Sequence, residues 1–274
     1  MSLYRLNCKM QLKDFKMSMK RIFLEKFWVL VVCLMLVPSS AWALDFKAWD
    51  GLLKKYVRPT TIDGVRLAGV DYAGIKKDPV YTKLIADLKS FSPATLKTSK
   101  ETKVFWINVY NIMAVKMVVD HYPVDSIKDA VSFFGSVWKK KVGVVGGKEV
   151  TLNDIEHEIL RKMGDPRIHV AIVCASVSCP DLRQEAYTVD RLDAQLDDQM
   201  KLFLENRGKG LQVDRGKGRV TLSKIFDWFE DDFKSKGGVL PFLSVYAPEK
   251  DRSFLKKADV DVSYLDYNWD LNKK

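Results

Sequence analysis

The sequence predicts an α+β fold: a helix-dominated single domain with a small mixed or antiparallel sheet and β-hairpins. Three observations predict it. Apolar residues recur at helical spacing in several segments. Short apolar runs flank Gly-rich turns that are typical of hairpins. No repeat, low-complexity tract or linker interrupts the chain after residue 43. We therefore expect one mixed domain over residues 44–274.

Residues 1–43 have the pattern of a secretory signal peptide. Basic residues precede an almost purely apolar run from Phe27 to Val37, and Ala41-Trp42-Ala43 provides a small-x-small ending. The apolar run is too short for a stable membrane span. We expect cleavage after Ala43, an N-terminal extension ahead of Met19, and a periplasmic or secreted protein with no stable span after cleavage.

Export changes the charge that the folded protein would carry. The 274-residue chain has a formal net charge of +10, and residues 1–43 contain seven Lys or Arg against two Asp or Glu. The mature chain would thus keep a charge of +5, without a long basic tract. This composition gives nucleic-acid binding little support. We expect a monomer whose partner is an unknown small molecule or peptide.

The first half of the mature chain is predicted to be mainly helical. Its most apolar segment is Glu101–His121, in which apolar residues nearly surround the helix axis, so it is predicted to be the central buried helix. Helical spacing, or a Pro at an early helical position, predicts the other helices. The remaining elements are a helix over Leu44–Val57, a short strand over Val65–Tyr72 and a helix from Asp78-Pro79 to Phe91.

The second half is predicted to alternate hairpins and helices. Gly146-Gly147 and Asp214–Gly218 each separate two short apolar runs, which predicts a hairpin at each place. Helices are predicted from Thr151, over Asp190–Asn206 and from Ser223 to Gly237-Gly238, and an aromatic-rich strand is predicted over Val262–Leu271.

Two amides stand out in the predicted central helix. Asn108 and Asn111 are three residues apart and therefore share a face. A buried amide needs hydrogen-bonding partners. The pair can cap neighbouring backbone, or it can line a pocket, and both interpretations remain open here.

The segment Arg167–Pro180 carries the residues with the most chemistry. It is predicted to begin as a strand and to end as a turn, and it holds His169, Cys174 and Cys179. Alternation along a strand places His169 and Cys174 on opposite faces. Either a bulge realigns them, or His169 works with Cys179 beyond the turn.

Three interpretations of the cysteines remain open. One cysteine can be a nucleophile with His169 as its base and an Asn or Glu156 orienting the imidazole. Cys174 and Cys179 can instead form a structural disulfide, which an oxidising compartment allows. They can also hold a metal with a His, although the Cys-x4-Cys spacing is loose for zinc and no second Cys pair exists. We expect no metal and no cofactor.

At these residues the chain also resembles the domain of unknown function 547. The resemblance covers most of the mature chain, most firmly from about Glu101 to Phe233, and implies an α+β domain, often in an exported bacterial protein, with no agreed activity. The motifs that carry it are Phe105–Asn111 (FWINVYN), Leu152–His157 (LNDIEH), Asp165–Ser176 (DPRIHVAIVCAS), Ser178–Pro180 (SCP), Ser223–Phe229 (SKIFDWF) and Asp232-Phe233.

The motifs bring together polar residues from separate elements, which is the usual form of a pocket. We expect a thiol-dependent hydrolase or acyl transferase, and the alternative is a non-catalytic envelope binding module with a Cys174–Cys179 disulfide. The candidate catalytic residues are Cys174, Cys179, His169 and Glu156. The candidate substrate-binding residues are Asn108, Asn111, His157, Arg167 and Ser176.

Overall fold

A computed structural model describes residues 45–131, 135–257 and 259–274. The predicted signal peptide, residues 1–43, lies outside the described residues. Across the three described ranges, no helix combines the length and the apolarity that crossing a membrane requires.

Helices supply most of the regular structure, as predicted. Three short 3-10 turns that matter for the site lie at Ile127–Ala130, Val137–Lys139 and Arg161–Met163, and a π-helical segment spans Asp154–Leu160. The α-helices are α1 (Lys47–Tyr56), α2 (Tyr72–Lys77), α3 (Pro79–Ser90), α4 (Ser99–His121), α5 (Ile168–Ala171), α6 (Leu192–Glu205), α7 (Ile225–Trp228), α8 (Glu230–Phe233), α9 (Val239–Tyr246) and α10 (Glu249–Leu255).

The strands form three small sheets. β1 pairs antiparallel with β2, and β3 pairs antiparallel with β4. β5 and β6 form a third hairpin, to which β7 adds in parallel, so that this sheet is mixed. The α+β class is confirmed. The strands are β1 (Val57–Ile62), β2 (Val65–Val70), β3 (Lys141–Val145), β4 (Lys148–Thr151), β5 (Leu211–Asp214), β6 (Arg219–Leu222) and β7 (Asp261–Tyr264).

Helix α4 is the centre of the larger hydrophobic core, as its sequence predicts. A capping box fixes its start, because the Thr98 side chain accepts from the Glu101 N–H while the Glu101 carboxylate accepts from the Thr98 N–H. The helix is buried almost continuously from Val104 to Val119. A helix that is apolar on all sides can only be stable when other elements surround it.

Helix α5 lies where two hydrophobic clusters meet. Ile168 and Ala171 belong to the larger cluster around α4, whereas Val170 belongs to a smaller cluster with Phe226 and Phe233. His169 lies between these residues on the same single turn. The chain therefore places an imidazole at the boundary between two cores, where a cavity can reach it.

The prediction of a strand at the start of Arg167–Pro180 is wrong. The His169 N–H donates to the Pro166 carbonyl, and the Ile172 N–H donates to the Ile168 carbonyl, which closes a short helical turn. The apolar run is buried on both sides because two clusters enclose it, and a short buried helix has the same composition as a buried strand. The terminal strand is also shorter than the predicted Val262–Leu271.

Candidate active site

A cavity of about 330 Å³ contains five of the predicted site residues. These are Glu156, His157, His169, Cys174 and Cys179. Its wall is mostly aromatic and apolar, and it includes further polar groups that the sequence analysis did not single out. The other lining residues are Tyr110, Lys128, Trp138, Ile172, Pro180, Ile225, Trp228, Phe229, Tyr267 and Trp269.

His169 is held by a carboxylate and by an aromatic ring. Its Nε2 lies 2.7 Å from Oδ2 of Asp232. Its ring stacks on Phe229, with centroids 4.1 Å apart and 18° between the planes. The residue is only 3% exposed. These contacts fix the plane of the imidazole, because rotation would break the hydrogen bond and the stack together.

The protonation of this pair follows from its surroundings. Burial raises the pKa of Asp232, but hydrogen bonds from His169 and Arg161 outweigh it and hold that pKa well below its ordinary value. An ionised carboxylate only accepts, so His169 Nε2 must carry the proton. Burial also lowers the pKa of His169, which favours the neutral ring. Nδ1 is then an unprotonated acceptor.

Nδ1 of His169 is buried and has no hydrogen-bond partner among the described residues. A buried polar atom without a partner costs free energy and calls for an explanation. His169 also lines the cavity, which places its ring next to whatever the cavity binds. A neutral imidazole with one nitrogen fixed by a carboxylate is the usual form of a general base.

Asp232 is itself anchored by Arg161, which follows the π-helical segment. The guanidinium donates two hydrogen bonds of 2.7 Å to the two carboxylate oxygens. His157 Nδ1 lies 2.8 Å from the same guanidinium. His157 therefore supports Arg161 at the cavity wall, and burial together with Arg161 lowers the pKa of its imidazole.

The Cys174 thiol is surrounded by hydroxyl groups. Its Sγ lies 3.1 Å from the hydroxyl of Tyr267 and 3.2 Å from the hydroxyl of Ser176. Ser176 donates to Tyr267 over 3.3 Å, which leaves the Tyr267 hydrogen free to point at the sulfur. Burial raises the pKa of Cys174, but the hydrogen bonds that its sulfur shares with Cys179, Ser176 and Tyr267 outweigh burial and lower that pKa.

Cys179 has the opposite environment. It is 2% exposed, and its Sγ accepts the Cys174 N–H over 2.8 Å. Burial and the neighbouring Cys174 raise the pKa of Cys179 well above its ordinary value. Both cysteines are free thiols in the structure, so the bonded pair of the disulfide interpretation is not seen. Thiolate chemistry is thus favoured at Cys174 and disfavoured at Cys179.

The backbone beside Cys174 is strained. Ala175 has a φ of 60°, in the left-handed region that residues with a Cβ rarely adopt. The C-terminal segment holds this conformation: the Ala175 carbonyl accepts from Asn272, and the Val177 N–H donates to the Asp270 carbonyl. Strain of this kind persists only where the surroundings impose it, and it is concentrated at functional sites.

Glu156 lines the cavity from the π-helical segment Asp154–Leu160, a rare geometry that is frequent at functional sites. It is 5% exposed, and its Oε2 accepts from the Tyr110 hydroxyl over 3.1 Å. Burial raises the pKa of Glu156 to about 7, although the Tyr110 hydrogen bond lowers it. Protonated and ionised forms are then both populated near neutral pH.

This raised pKa makes a prediction about stability. The unfolded chain releases the Glu156 proton near pH 4.5, whereas the folded protein releases it at about 7. The folded state thus binds more protons across this window, so wild-type stability falls as pH rises through it. Glu156→Gln mimics the protonated form. We expect equal free energies of unfolding at pH 4 and a variant more stable by about 2–4 kcal/mol above pH 7.

Urea unfolding of both proteins between pH 4 and pH 8 measures this difference. Glu158→Gln is the matched control, because Glu158 lies on the same segment with its side chain 60% exposed. Because Glu158 forms only an exposed ion pair with Lys162, this variant's free energy of unfolding should stay within about 1 kcal/mol of wild type throughout. A wild-type protein as stable as Glu156→Gln at pH 8 would show that Glu156 is not a strained buried acid.

The predicted role of the two amides in lining the pocket is corrected. The Asn108 side chain donates to the Tyr187 carbonyl and accepts from the Tyr187 N–H. The Asn111 side chain donates to the Ala171 carbonyl and accepts from the Val173 N–H. Neither lines the cavity. Both bind backbone because a fully buried amide satisfies all its polar atoms there, and Asn111 thereby fixes the chain just ahead of Cys174.

Arg167 and Ser176 were also predicted to bind substrate, but neither lines the cavity. Arg167 pairs with Asp165, Asp193 and Asp197 away from the cavity, so acidic side chains already occupy its guanidinium. Ser176 is 1% exposed and contacts Cys174 and Tyr267, so it reaches the cavity only through them. Among the described residues, no group of three side chains is arranged to hold a metal ion.

The partner of His169 was not predicted from the sequence. Neither an Asn nor Glu156 orients the imidazole, because Asp232, 63 positions further along, does so. The motif Asp232-Phe233 was noticed only as part of the resemblance. Tyr267 and Trp269 were noticed only as an aromatic-rich strand. A polar residue that belongs to a recognised motif, but has no obvious structural task, was the signal that could have identified Asp232.

Comparison with known proteins adds a family to this geometry. Searches of curated proteins and of solved structures found no match for this chain. The model of the family described as "Protein of unknown function, DUF547" matches residues 93–204. That stretch contains Glu156, His169 and both cysteines, whereas Asp232 and Tyr267 lie beyond it. Over residues 93–204, the chain is therefore similar to the family of proteins of unknown function DUF547.

Proposed function

We propose that this protein is an exported thiol-dependent hydrolase or acyl transferase, with Cys174 as nucleophile and His169, oriented by Asp232, as general base. One observation supports the proposal: a buried imidazole, fixed at Nε2 by an ionised carboxylate, has an unpartnered Nδ1, and His169 lines the same cavity as Cys174. Nucleophile, base and orienting acid are the parts of a catalytic triad.

The proposed reaction uses only Cys174, His169, the substrate and an acyl acceptor. His169 Nδ1 accepts the thiol proton, and the Cys174 sulfur attacks the carbonyl carbon of the substrate while the carbonyl electron pair moves to oxygen. Return of that pair expels the leaving group, which takes the proton from Nδ1. The resulting thioester is then attacked by water in a hydrolase, or by an amine or alcohol in a transferase, with His169 again accepting the proton. Collapse of this second adduct breaks the bond between carbon and sulfur, and the departing Cys174 sulfur takes the proton back from Nδ1.

Glu156 is proposed to assist the developing charge. The Cys174 thiolate raises the pKa of Glu156, because two negative charges in one buried cavity oppose each other. Activation of Cys174 therefore favours protonated Glu156. A protonated carboxyl can donate a hydrogen bond to the oxyanion, and a donor placed in a dry site stabilises such charge strongly.

The export part of the proposal rests on the sequence of residues 1–43. A basic segment, an apolar run and a small-x-small ending support cleavage after Ala43. The compartment would be the periplasm or the exterior, and the substrate a small molecule or peptide. Such a compartment also supplies the oxidants that would favour a Cys174–Cys179 disulfide and so inactivate the nucleophile.

The experiment that tests this function is the pH dependence of Cys174 acylation. The purified protein, kept under reductant and then desalted, is mixed with p-nitrophenyl acetate, and the initial release of p-nitrophenolate is followed from pH 5 to pH 10. Because the pKa of Cys174 is lowered, we expect a midpoint below about pH 8, against about 8.5 for an ordinary thiol.

Tyr267→Phe is the informative companion variant. It removes a hydroxyl that donates to the sulfur but keeps the ring, so the midpoint should rise by about one pH unit. Tyr264→Phe, on β7 nearby in sequence, is the control and should leave the midpoint unchanged. A wild-type midpoint at or above 8.5, unmoved by Tyr267→Phe, would contradict an activated Cys174.

A further inference from the structure

Four aromatic side chains form a continuous wall on one side of the cavity, and we call them the aromatic rim: Trp138, Trp228, Tyr267 and Trp269. Trp228 and Trp269 stack with centroids 5.7 Å apart and 20° between their planes. Tyr267 lies 4.5 Å from Trp269, and Trp138 packs edge-on against it at 5.4 Å. Trp228 nevertheless remains 45% exposed. Trp138, Tyr267 and Trp269 are half-buried. A cluster of aromatic rings that is partly open to solvent at a cavity is typical of a binding surface.

A single ammonium group lies on this rim. Lys128 Nζ is 3.6 Å from the centroid of the Trp269 ring, a cation–π contact. The backbone fixes the two residues relative to each other, because the Ser126 hydroxyl donates to the Trp269 carbonyl over 2.8 Å. Lys128 belongs to the short turn Ile127–Ala130, which a capping box between Ser126 and Asp129 stabilises. The charge is therefore held at the cavity by a defined scaffold.

The carboxylates near Lys128 have other partners. Asp129 accepts from the Asp125 and Ser126 N–H groups. Asp125 pairs with Lys273. Within the described part of the chain, Lys128 forms no ion pair, although its residue lines the cavity. A cation without an ion-pair partner at the cavity favours an anionic ligand and opposes a cationic one.

We infer that the aromatic rim and Lys128 form a substrate subsite, and that they select a compound carrying both a ring and a carboxylate. This inference rests on the proposed function, since the reacting carbonyl must reach Cys174 in the same cavity. The ring packs on the Trp228–Trp269 stack, and the carboxylate pairs with Lys128. The cavity volume of about 330 Å³ is at the lower end of small-molecule sites, which suits one ring and its substituents.

Binding of three matched probes tests the subsite. N-acetylphenylalanine has the ring and the carboxylate, its amide keeps the ring without the charge, and N-acetylalanine keeps the charge without the ring. Calorimetric titration uses the full chain carrying Cys174→Ser, so that no acyl transfer intervenes. We expect the acid to bind about three- to fivefold tighter than its amide, the range of one exposed charge pair, and N-acetylalanine to bind most weakly.

Two variants separate the charge from the ring surface. Lys128→Gln should bring the acid-to-amide ratio to about one, while Lys148→Gln, which removes an exposed charge at the β3–β4 turn, should leave it unchanged. Trp228→Ala should weaken both ring probes together and keep their ratio. Leu202→Ala is its control, because Leu202 is 54% exposed on another face of the structure. Melting temperatures verify that each variant folds.

The outcomes for the subsite are separate from the outcomes for the acylation of Cys174. Equal binding of acid and amide, or an acid preference that survives Lys128→Gln, overturns the subsite. Neither result bears on acylation of Cys174. If the acid preference depends on Lys128 but Cys174→Ala still hydrolyses p-nitrophenyl acetate at the wild-type rate, the subsite is real as a binding site and the thiol mechanism is wrong.

Discussion

Replacing Cys174 by Ala should reduce hydrolysis of p-nitrophenyl acetate by at least about a thousandfold, to near the uncatalysed rate. The reason is chemical: Ala has no nucleophile, and the proposed mechanism has no second route to the thioester. The Cys174 sulfur contacts the Ser176 and Tyr267 hydroxyls. Without the sulfur these hydroxyls can still hydrogen-bond to each other, so the variant should keep its fold. Steady-state release of p-nitrophenolate at pH 7.5 measures the loss.

Cys179→Ser is the matched control for that variant. Serine keeps an acceptor for the Cys174 N–H, so the turn should survive, and activity should stay within about tenfold of wild type. Near-normal turnover by Cys174→Ala would contradict Cys174 as nucleophile. Loss of activity in Cys179→Ser alone, with the fold intact, would move the nucleophile to Cys179.

Replacing Asp232 by Asn should lower the same activity by about 10²- to 10⁴-fold. The ionised Asp232 accepts from His169 Nε2 and so leaves Nδ1 as the base. An amide can instead donate to Nε2, which stabilises the tautomer with the proton on Nδ1. In that tautomer, Nδ1 has no lone pair to accept the thiol proton. Asp232 raises the pKa of His169, so without its charge the limb of the acylation profile that requires neutral His169 should also shift to lower pH.

Two further variants test whether the loss of activity arises from the missing Asp232 carboxylate. Asp231→Asn changes the neighbouring acid, which is 78% exposed and pairs with Lys234, and should leave activity within about twofold. Arg161→Gln removes the guanidinium from Asp232 but keeps the His169 contact, so we expect less than about a tenfold loss. An Asp232→Asn protein that folds and retains full activity would contradict the triad.

The sequence predicted much of the fold because its local signals agree with the tertiary structure. Helix α4 was predicted from its apolar surroundings, and the hairpins around Gly146-Gly147 and Asp214–Gly218 from their turn residues. The strand predicted within Arg167–Cys174 failed because β-branched residues suit any element buried on both sides. Burial between two clusters, which depends on the whole fold, decided for a helical turn there.

The candidate site was predictable only in part, for a related reason. His169, Cys174 and Cys179 lie close together in sequence, so the composition of this segment alone indicates a reactive site. The groups that set their chemistry come from far along the chain: Asp232 fixes the imidazole, and Tyr267 contacts the sulfur. Asn108 and Asn111 mislead for the converse reason, since a buried amide that binds backbone has the same local sequence as one that lines a pocket.

The measurement that tests the central claim most directly is the location of the acyl group. The protein is mixed with p-nitrophenyl acetate, quenched in acid within the initial burst, digested with pepsin and mapped by mass spectrometry. The mechanism predicts one acetyl group on Cys174, formed more slowly in His169→Ala and Asp232→Asn than in wild type. Acetylation of Cys179, Lys128 or Tyr267 instead, or continued turnover with no acetyl on Cys174, would contradict a Cys174–His169–Asp232 mechanism.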